Sequence, residues 1–281
     1  MQDSPILIIG KNAKTGWRVD RRLKELGYLT RAVSRSTSPA FDWEDQDTWR
    51  EALVGARSAY ITFHPDLAIP SAERTIRDFV DMAVELGLKH LVLLSGRGEE
   101  GAQRAEKVLQ QSGLTWNVVR ASWFMQNFSE NFMIEGILNG ELMLPAGDMV
   151  EPFIDVDDIA DVAVAALTQS ELHNRLFEVS GPRAMTFGQC VAEISEVTGY
   201  PVKYTQIPID EFIDGLRTHG LPQPVLWLMR ELFTVVFDGR NSKPTQGVEE
   251  ALGRPATDFS EYLRKVVVSG AWDRSTMLKK A

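Results

Sequence analysis

Cysteine is nearly absent from this 281-residue chain: Cys190 stands alone. A single thiol excludes an internal disulfide and any zinc site built on several cysteines, and it suits a reducing compartment. Cys190 sits on an apolar helical face and reads as inert filler. Long apolar runs are also missing. None approaches the ~20 residues of a membrane span. The longest, Val225 to Phe237, is interrupted by Arg230 and Glu231 and reads as an amphipathic helix. The start, M-Q-D-S-P-I-L-I-I-G, has no basic segment ahead of its short apolar run, which argues against a secretion signal. A cytoplasmic protein without membrane contact is therefore expected. An excess of positive charge is missing too. The formal charge is -9, which argues against nucleic acid as a partner. Repeats, low-complexity tracts and long linkers are not found, and no metal is expected. The length supports a sizeable core without any such staple.

The average charge hides an asymmetry. Between Gly10 and Ser36 lie Lys11, Lys14, Arg18, Arg21, Arg22, Lys24, Arg31 and Arg35 against only Asp20 and Glu25, a local net of +6. Such a segment is either a solvated helix face or a surface for a polyanionic ligand. Arg21, Arg22 and Lys24 fit the solvated face. Lys11, Lys14 and Arg35 fit the ligand surface.

Strand and helix patterns alternate through the first 120 residues. Apolar runs at Pro5–Ile9, Tyr28–Val33, Ala59–Phe63, Leu91–Leu94 and Trp116–Val119 read as strands. Helical patterns at Trp17–Leu26, Asp47–Val54, Ile69–Leu86 and Glu99–Gln111 separate them. This order implies an α/β fold with a doubly wound parallel sheet, and a ligand crevice at the carboxyl ends of the strands. Beyond residue 120 the regularity fails. A helix is expected over Ser122–Asn139, a short strand at Glu151–Ile154, and an alanine-rich helix over Val156–Thr168. A strand at Leu176–Val179, a helix over Thr186–Thr198 and a strand at Val202–Thr205 follow. The expected organisation is a nucleotide-binding domain over residues 1–150, with sheet contributions from about 151–180. A smaller, mostly helical lobe covers 181–281 and is interleaved with that domain.

The first strand runs directly into Gly10-Lys11-Asn12-Ala13-Lys14-Thr15-Gly16 and then a helix. Gly10 permits a tight turn, Ala13 lets a pyrophosphate approach the backbone, and Gly16 lets helix and strand pack closely. Lys14 adds charge and Thr15 a hydroxyl donor. A plain tight turn is the alternative. At the end of the second strand a carboxylate would bind a ribose 2′-hydroxyl. Here Arg35 and Ser36 stand in its place, and an arginine fork suits a phosphate. NADP(H) is therefore favoured over NAD(H). Asp42 and Trp43 follow and either frame the adenine or, for Trp43, belong to the core.

Five tyrosines occur, at 28, 60, 200, 204 and 262, and none has a lysine four residues later. The Tyr-x-x-x-Lys pair, in which tyrosine is a general acid, is absent. At the same time the chain resembles the NmrA-like atypical short-chain dehydrogenases, and within them the fungal ergot-alkaloid reductases and their bacterial relatives. The resemblance rests on Gly10 to Gly16, R-A-V-S-R-S, Phe41 to Trp49, F-V-D-M-A, K-H-L-V-L-L-S, Ala105 to Ser129 and Pro152 to Ala160. It spans roughly residues 5 to 205. Lys11, where the ergot group tends to have glycine, and Ala121, where many relatives have proline, depart from the pattern and leave the substrate less defined.

The resemblance implies an NADPH-dependent reductase without a side-chain acid. Hydride turns a carbonyl into an alkoxide that wants a proton, but turns an iminium into a neutral amine. A quinone or enone spreads the new charge. The missing pair thus favours planar, conjugated or cationic small-molecule acceptors, with the cofactor carrying the chemistry. The resemblance places the nicotinamide near Thr62, Phe63, His64, Pro65, Ser95 and Gly96. It places a substrate pocket near Trp123, Phe124, Met125, Asn127, Phe128 and Phe153. The aromatic members fit ordinary core packing equally well. His64, Asn127 and Asp155 are the catalytic candidates: His64 is a proton donor or a turn residue, and Asp155 stabilises a cation or caps the helix after it. A monomer or homodimer is expected. The rival reading is an NADP(H)-sensing regulator without turnover.

Overall fold

The computed structural model describes residues 4–130 and 132–274. Its elements begin with β1 (Ile6–Ile9), α1 (Gly16–Glu25), β2 (Thr30–Val33), α2 (Trp49–Leu53), β3 (Ser58–Ile61), α3 (Ala72–Glu85), β4 (His90–Gly96), α4 (Glu100–Gln110) and β5 (Thr115–Ala121). Then come α5 (Asn127–Glu130), α6 (Met133–Asn139), β6 (Glu141–Leu144), α7 (Val156–Thr168), β7 (Arg175–Val179), α8 (Phe187–Thr198) and β8 (Lys203–Gln206). The last four are α9 (Ile209–Thr218), α10 (Gln223–Glu231), α11 (Gly247–Leu252) and α12 (Phe259–Ser269). The chain forms two compact units. One comprises Met1–Ala121, Val156–Val179 and Gln246–Arg254; the other comprises Ser122–Asp155, Ser180–Thr245 and Pro255–Ala281.

The first unit carries a six-stranded sheet in the order β2-β1-β3-β4-β5-β7, and every pairing is parallel. This is the doubly wound class that the alternation predicts. Strands covered on both faces need no polar side, and all four residues of β1 are buried isoleucine or leucine. On one face Leu7, Ile9, Ala59, Ile61, Leu91 and Leu93 join a core with Trp49, Ile76, Phe79 and Leu109 from the helices. On the other, the His90 ring reaches the Ala166 carbonyl of α7. The second unit pairs β6 with β8 in a small parallel sheet. Its core is aromatic, built on Phe128, Phe153, Phe187, Phe259 and Tyr262. No helix among the described residues is long and apolar enough to cross a membrane.

Several expected elements differ. The helix predicted from Ile69 starts at Ala72, because the preceding residues are held in turns, with the Ala68 amide on Asp66 Oδ1 and the Ala72 amide on the Ile69 carbonyl. The long helix over Ser122–Asn139 is broken. The Trp123 carbonyl accepts from Ile154 and the Met125 amide donates to Ile154, so this backbone is committed to a distant segment and the helix begins only at Asn127. The strand at Glu151–Ile154 reduces to single bridges to Met185 and Phe124. Pro152 interrupts it and lacks the amide a ladder needs. β6 has no counterpart among the expected strands, since its four residues are too few to show alternation clearly. The run Val225–Phe237 is α10 followed by a wider π-type turn at Leu232–Val236.

His90 opens β4 on the buried face. Its Nε2 lies 3.1 Å from the Ala166 carbonyl, Nδ1 lies 3.0 Å from the Thr115 hydroxyl, and the ring stacks on His173 with centroids 4.1 Å apart. Burial, and then the His173 charge, push its pKa down to about 4. A base depressed in the folded state is protonated first in the unfolded chain. The stability held by neutral His90 is complete above the unfolded value near 6.5 and is lost as pH falls toward 4. Linkage puts this loss at about 3 kcal/mol. Denaturant unfolding at pH 7.5 and pH 4.5 should show it, and His90→Gln should flatten that part of the slope. An equal pH dependence in the variant would remove His90 as the cause.

Candidate functional site

The turn between β1 and α1 is built by two glycines that nothing else could replace. Gly10 has φ of +89°, and a Cβ there would lie 2.1 Å from the Thr62 hydroxyl oxygen. A Cβ on Gly16 would lie 2.0 Å from the Gly10 carbonyl oxygen. That same carbonyl accepts the Ala13 amide at 2.8 Å, while the amides of Gly10 and Lys11 donate to Val33. The amides of Asn12, Thr15 and Gly16 donate to nothing in the described structure. Three free donors at a helix start form a site for an anion. Thr15 itself is buried, and its hydroxyl lies beside that of the buried Tyr60.

The basic segment sorts into two classes. Arg18 donates to Asp157, Arg22 to Asp157 and Asp161, and Lys24 to Asp20; Arg21 pairs with Glu25. Arg31 donates to the carbonyls of Ala52 and Val54. Arg22 is thus a paired, largely covered arginine rather than a solvated one. Lys11 and Arg35 are exposed and, among the described residues, have no hydrogen bond or ion pair. Arg35 stands at the tip of a cross-braced loop. There the Ser34 amide donates to Thr37 Oγ1, Thr37 Oγ1 donates to the Pro39 carbonyl, and the Ser36 amide donates to Ser34 Oγ.

Thr62 links this turn to its neighbours. Its hydroxyl donates to the Ile9 carbonyl at 2.9 Å, and its own carbonyl accepts from the Trp43 indole at 2.9 Å. The Trp43 ring packs against Phe41, Phe63, Phe79 and Trp49, so most of it belongs to the core. Asp42 caps the Glu44 amide. Phe63 and Pro65 are half-buried and His64 is exposed. Ser95 is drawn the other way. Its hydroxyl donates to Glu106 Oε1 at 2.6 Å, in a buried network with Arg120 and Glu178.

Gly96 is covered by a residue that sequence reasoning misses. Glu99, just before α4, folds its carboxyl back until a Cβ on Gly96 would lie 2.1 Å from it. Asp66 hydrogen-bonds Glu99, and burial raises the Asp66 pKa. A signal exists: Gly96-x-Gly98-x-x-Gly101 is a second glycine-rich strand-to-helix turn.

The remaining candidates lie in the second unit. Met125, Phe128 and Phe153 are buried, with Phe128 against Phe153, Phe187 and Phe259. Burial places all three in the core of the second unit. Trp123, Phe124 and Asn127 keep accessible surface. The Trp123 ring rests against Phe233, Phe187 and Phe237, at centroid distances of 5.0 to 5.7 Å. Asp155 is fully buried and accepts from Gln126 Nε2 at 2.7 Å and Lys265 Nζ at 3.2 Å. Its charge is already compensated from within the protein.

The profile of the NmrA-like family matches residues 2–264. Prestalk A differentiation protein A of Dictyostelium discoideum is 28% identical over 256 residues, covering 90% of this chain and 83% of that protein. Agroclavine dehydrogenase of Claviceps fusiformis is 28% identical over 276 residues, covering 92% and 96%. Among solved structures, the triphenylmethane reductase of Citrobacter sp., complexed with NADP(H), superposes with a TM-score of 0.77 at 16% identity. It covers 93% of this chain and 99% of that one.

Proposed function

The chain belongs to the NmrA-like family, and from that premise we propose that it is an NADPH-dependent reductase of a conjugated or cationic small-molecule acceptor. The observation that carries this reading is the pair of unpartnered cations, Lys11 and Arg35, beside a turn with three free amides. Arg18, Arg21, Arg22, Lys24 and Arg31 are each held by a partner within the protein. The two left exposed match a dinucleotide with an extra phosphate. The amides of Asn12, Thr15 and Gly16 would hold the pyrophosphate, with Lys14 close by. Arg35, assisted by Lys11, would take the 2′-phosphate. The residues after β3, Phe63 to Pro65, and Gly96 after β4 would border the nicotinamide.

The bound cofactor supplies a hydride. The protein's part is to fix its orientation and keep water away. His64 is the exposed side chain nearest in sequence to that region that can carry a proton. Acceptors whose reduced form needs no immediate proton fit the absence of a Tyr-x-x-x-Lys pair. The names of agroclavine dehydrogenase and triphenylmethane reductase are compatible with this class. A soluble cytoplasmic protein acting on a planar acceptor, without a nucleic-acid partner, completes the reading.

Arg35→Ala tests it. Loss of charge-assisted hydrogen bonds to a phosphate is expected to weaken NADPH binding by about 10- to 100-fold. NADH affinity should stay within about twofold, because NADH has no 2′-phosphate. Fluorescence titration of both nucleotides reads the difference. Equal losses for the two would remove Arg35 from the 2′-phosphate.

A further inference from the structure

Ser122 is the first residue beyond β5, and only 2% of its surface is exposed. Its hydroxyl has no hydrogen-bond partner. Its backbone amide and carbonyl also form no hydrogen bond. The neighbours on both sides are bonded: the Ala121 carbonyl accepts from Arg97, and the Trp123 amide and carbonyl engage Glu151 and Ile154. One residue with three unmet polar groups is thus pinned between satisfied ones.

Buried polar groups are almost always paired, and each exception needs a cause. Other partnerless buried oxygens have a different setting. Ser58 and Asn117 lie in the amino-terminal halves of β3 and β5, and Tyr60 lies beside Thr15. Ser122 directly follows the carboxyl end of β5, an interior strand of the sheet, and doubly wound sheets bind their ligands at that end. A hydroxyl and an amide from one residue are two donors, which suits an sp² oxygen with two lone pairs.

We propose that Ser122 is a ligand-binding residue whose hydroxyl and amide donate to a carbonyl oxygen brought in by cofactor or acceptor. The inference rests on the reductase reading, in which two such oxygens exist: that of the nicotinamide carboxamide and that of a quinone-type acceptor. The chemistry is the same, and the experiment separates the sources.

A group kept for a ligand gives the free protein nothing. Ser122→Ala should therefore melt at the same temperature as the wild type or higher, while losing function. Expected is a fall of about tenfold in NADPH affinity by nicotinamide fluorescence, if the carboxamide is bound. If the acceptor is bound, NADPH affinity holds and kcat/KM for menadione falls about tenfold. Ser129→Ala is the contrast. The Ser129 hydroxyl accepts from Tyr262 at 2.7 Å, so its removal should lower the melting temperature and leave NADPH affinity unchanged. The proposal is overturned if Ser122→Ala changes neither NADPH affinity nor menadione turnover, or if it melts several degrees lower. Wild-type binding of NADPH is read in the same titration, so a failed cofactor reading is recognised separately from a failed role for Ser122.

Discussion

Gly16→Val is expected to weaken NADPH binding by at least about a hundredfold, or ~2.7 kcal/mol. A Cβ at this position meets the Gly10 carbonyl oxygen at 2.0 Å and its carbon at 2.8 Å, and both are backbone atoms that cannot rotate away. The turn must open. Opening it moves the carbonyl that accepts the Ala13 amide, and with it the spacing of the free amides of Asn12, Thr15 and Gly16. An anion site made of backbone donors has no side chain to substitute for lost geometry. Relief at Gly10 is blocked as well, since that residue holds φ of +89° against the Thr62 hydroxyl, which is itself bonded to Ile9. Gly215→Ala is the matched control. That glycine lies inside α9, and a methyl added to it would meet nothing within 4 Å. The variant should bind NADPH normally and gain up to about 1 kcal/mol of stability. Titration of both variants, with circular dichroism to verify folding, decides the matter. A folded Gly16→Val protein that binds NADPH within threefold of wild type would show that the turn does not hold the cofactor.

The same turn shows what sequence makes legible. Gly10 and Gly16 can be assigned because their roles are backbone constraints at a fixed offset from an apolar run. β1 can be assigned because burial on both faces leaves a strand with no polar side. Side-chain direction at the ends of strands is not legible. The resemblance puts Ser95 near the nicotinamide; in the structure it lies in register with Arg120 on β5, which lies in register with Glu178 on β7. All three therefore share one face with Glu106 of α4. That face is defined only once the pairing of three strands is known. Arg18 and Arg22 pose the same problem, since their acids at 157 and 161 lie 135 to 139 residues away. The helix expected over 122–139 fails for a related reason: Ile154 captures the backbone of Trp123 and Met125. Aromatic spacing at Phe128 is identical for core and pocket, so burial alone can separate them.

The Ser95 network carries the second large effect. Arg120→Met is expected to destabilise the protein by about 3–5 kcal/mol at pH 8. Glu106 is 2% exposed, and its partners are the Ser95 hydroxyl and the Arg120 guanidinium, which reaches both carboxylate oxygens. Hydrogen bonding to Glu106 is the main cause that holds the Arg120 pKa above its usual value. Without the arginine, a carboxylate stays buried with one neutral donor. A buried carboxylate with no cation beside it is disfavoured in its charged form, so the penalty should grow with pH. The variant should therefore lie closer to wild type at pH 5 than at pH 8, opposite in sign to the His90 effect. Replacing both partners, Glu106→Leu with Arg120→Met, should recover most of the loss, because neither charge is then left buried alone. Denaturant unfolding of the single and double variants beside the wild type at both pH values measures this directly. A single variant with the same deficit at pH 5 and pH 8 would mean that lost packing, rather than an uncompensated Glu106, sets the cost.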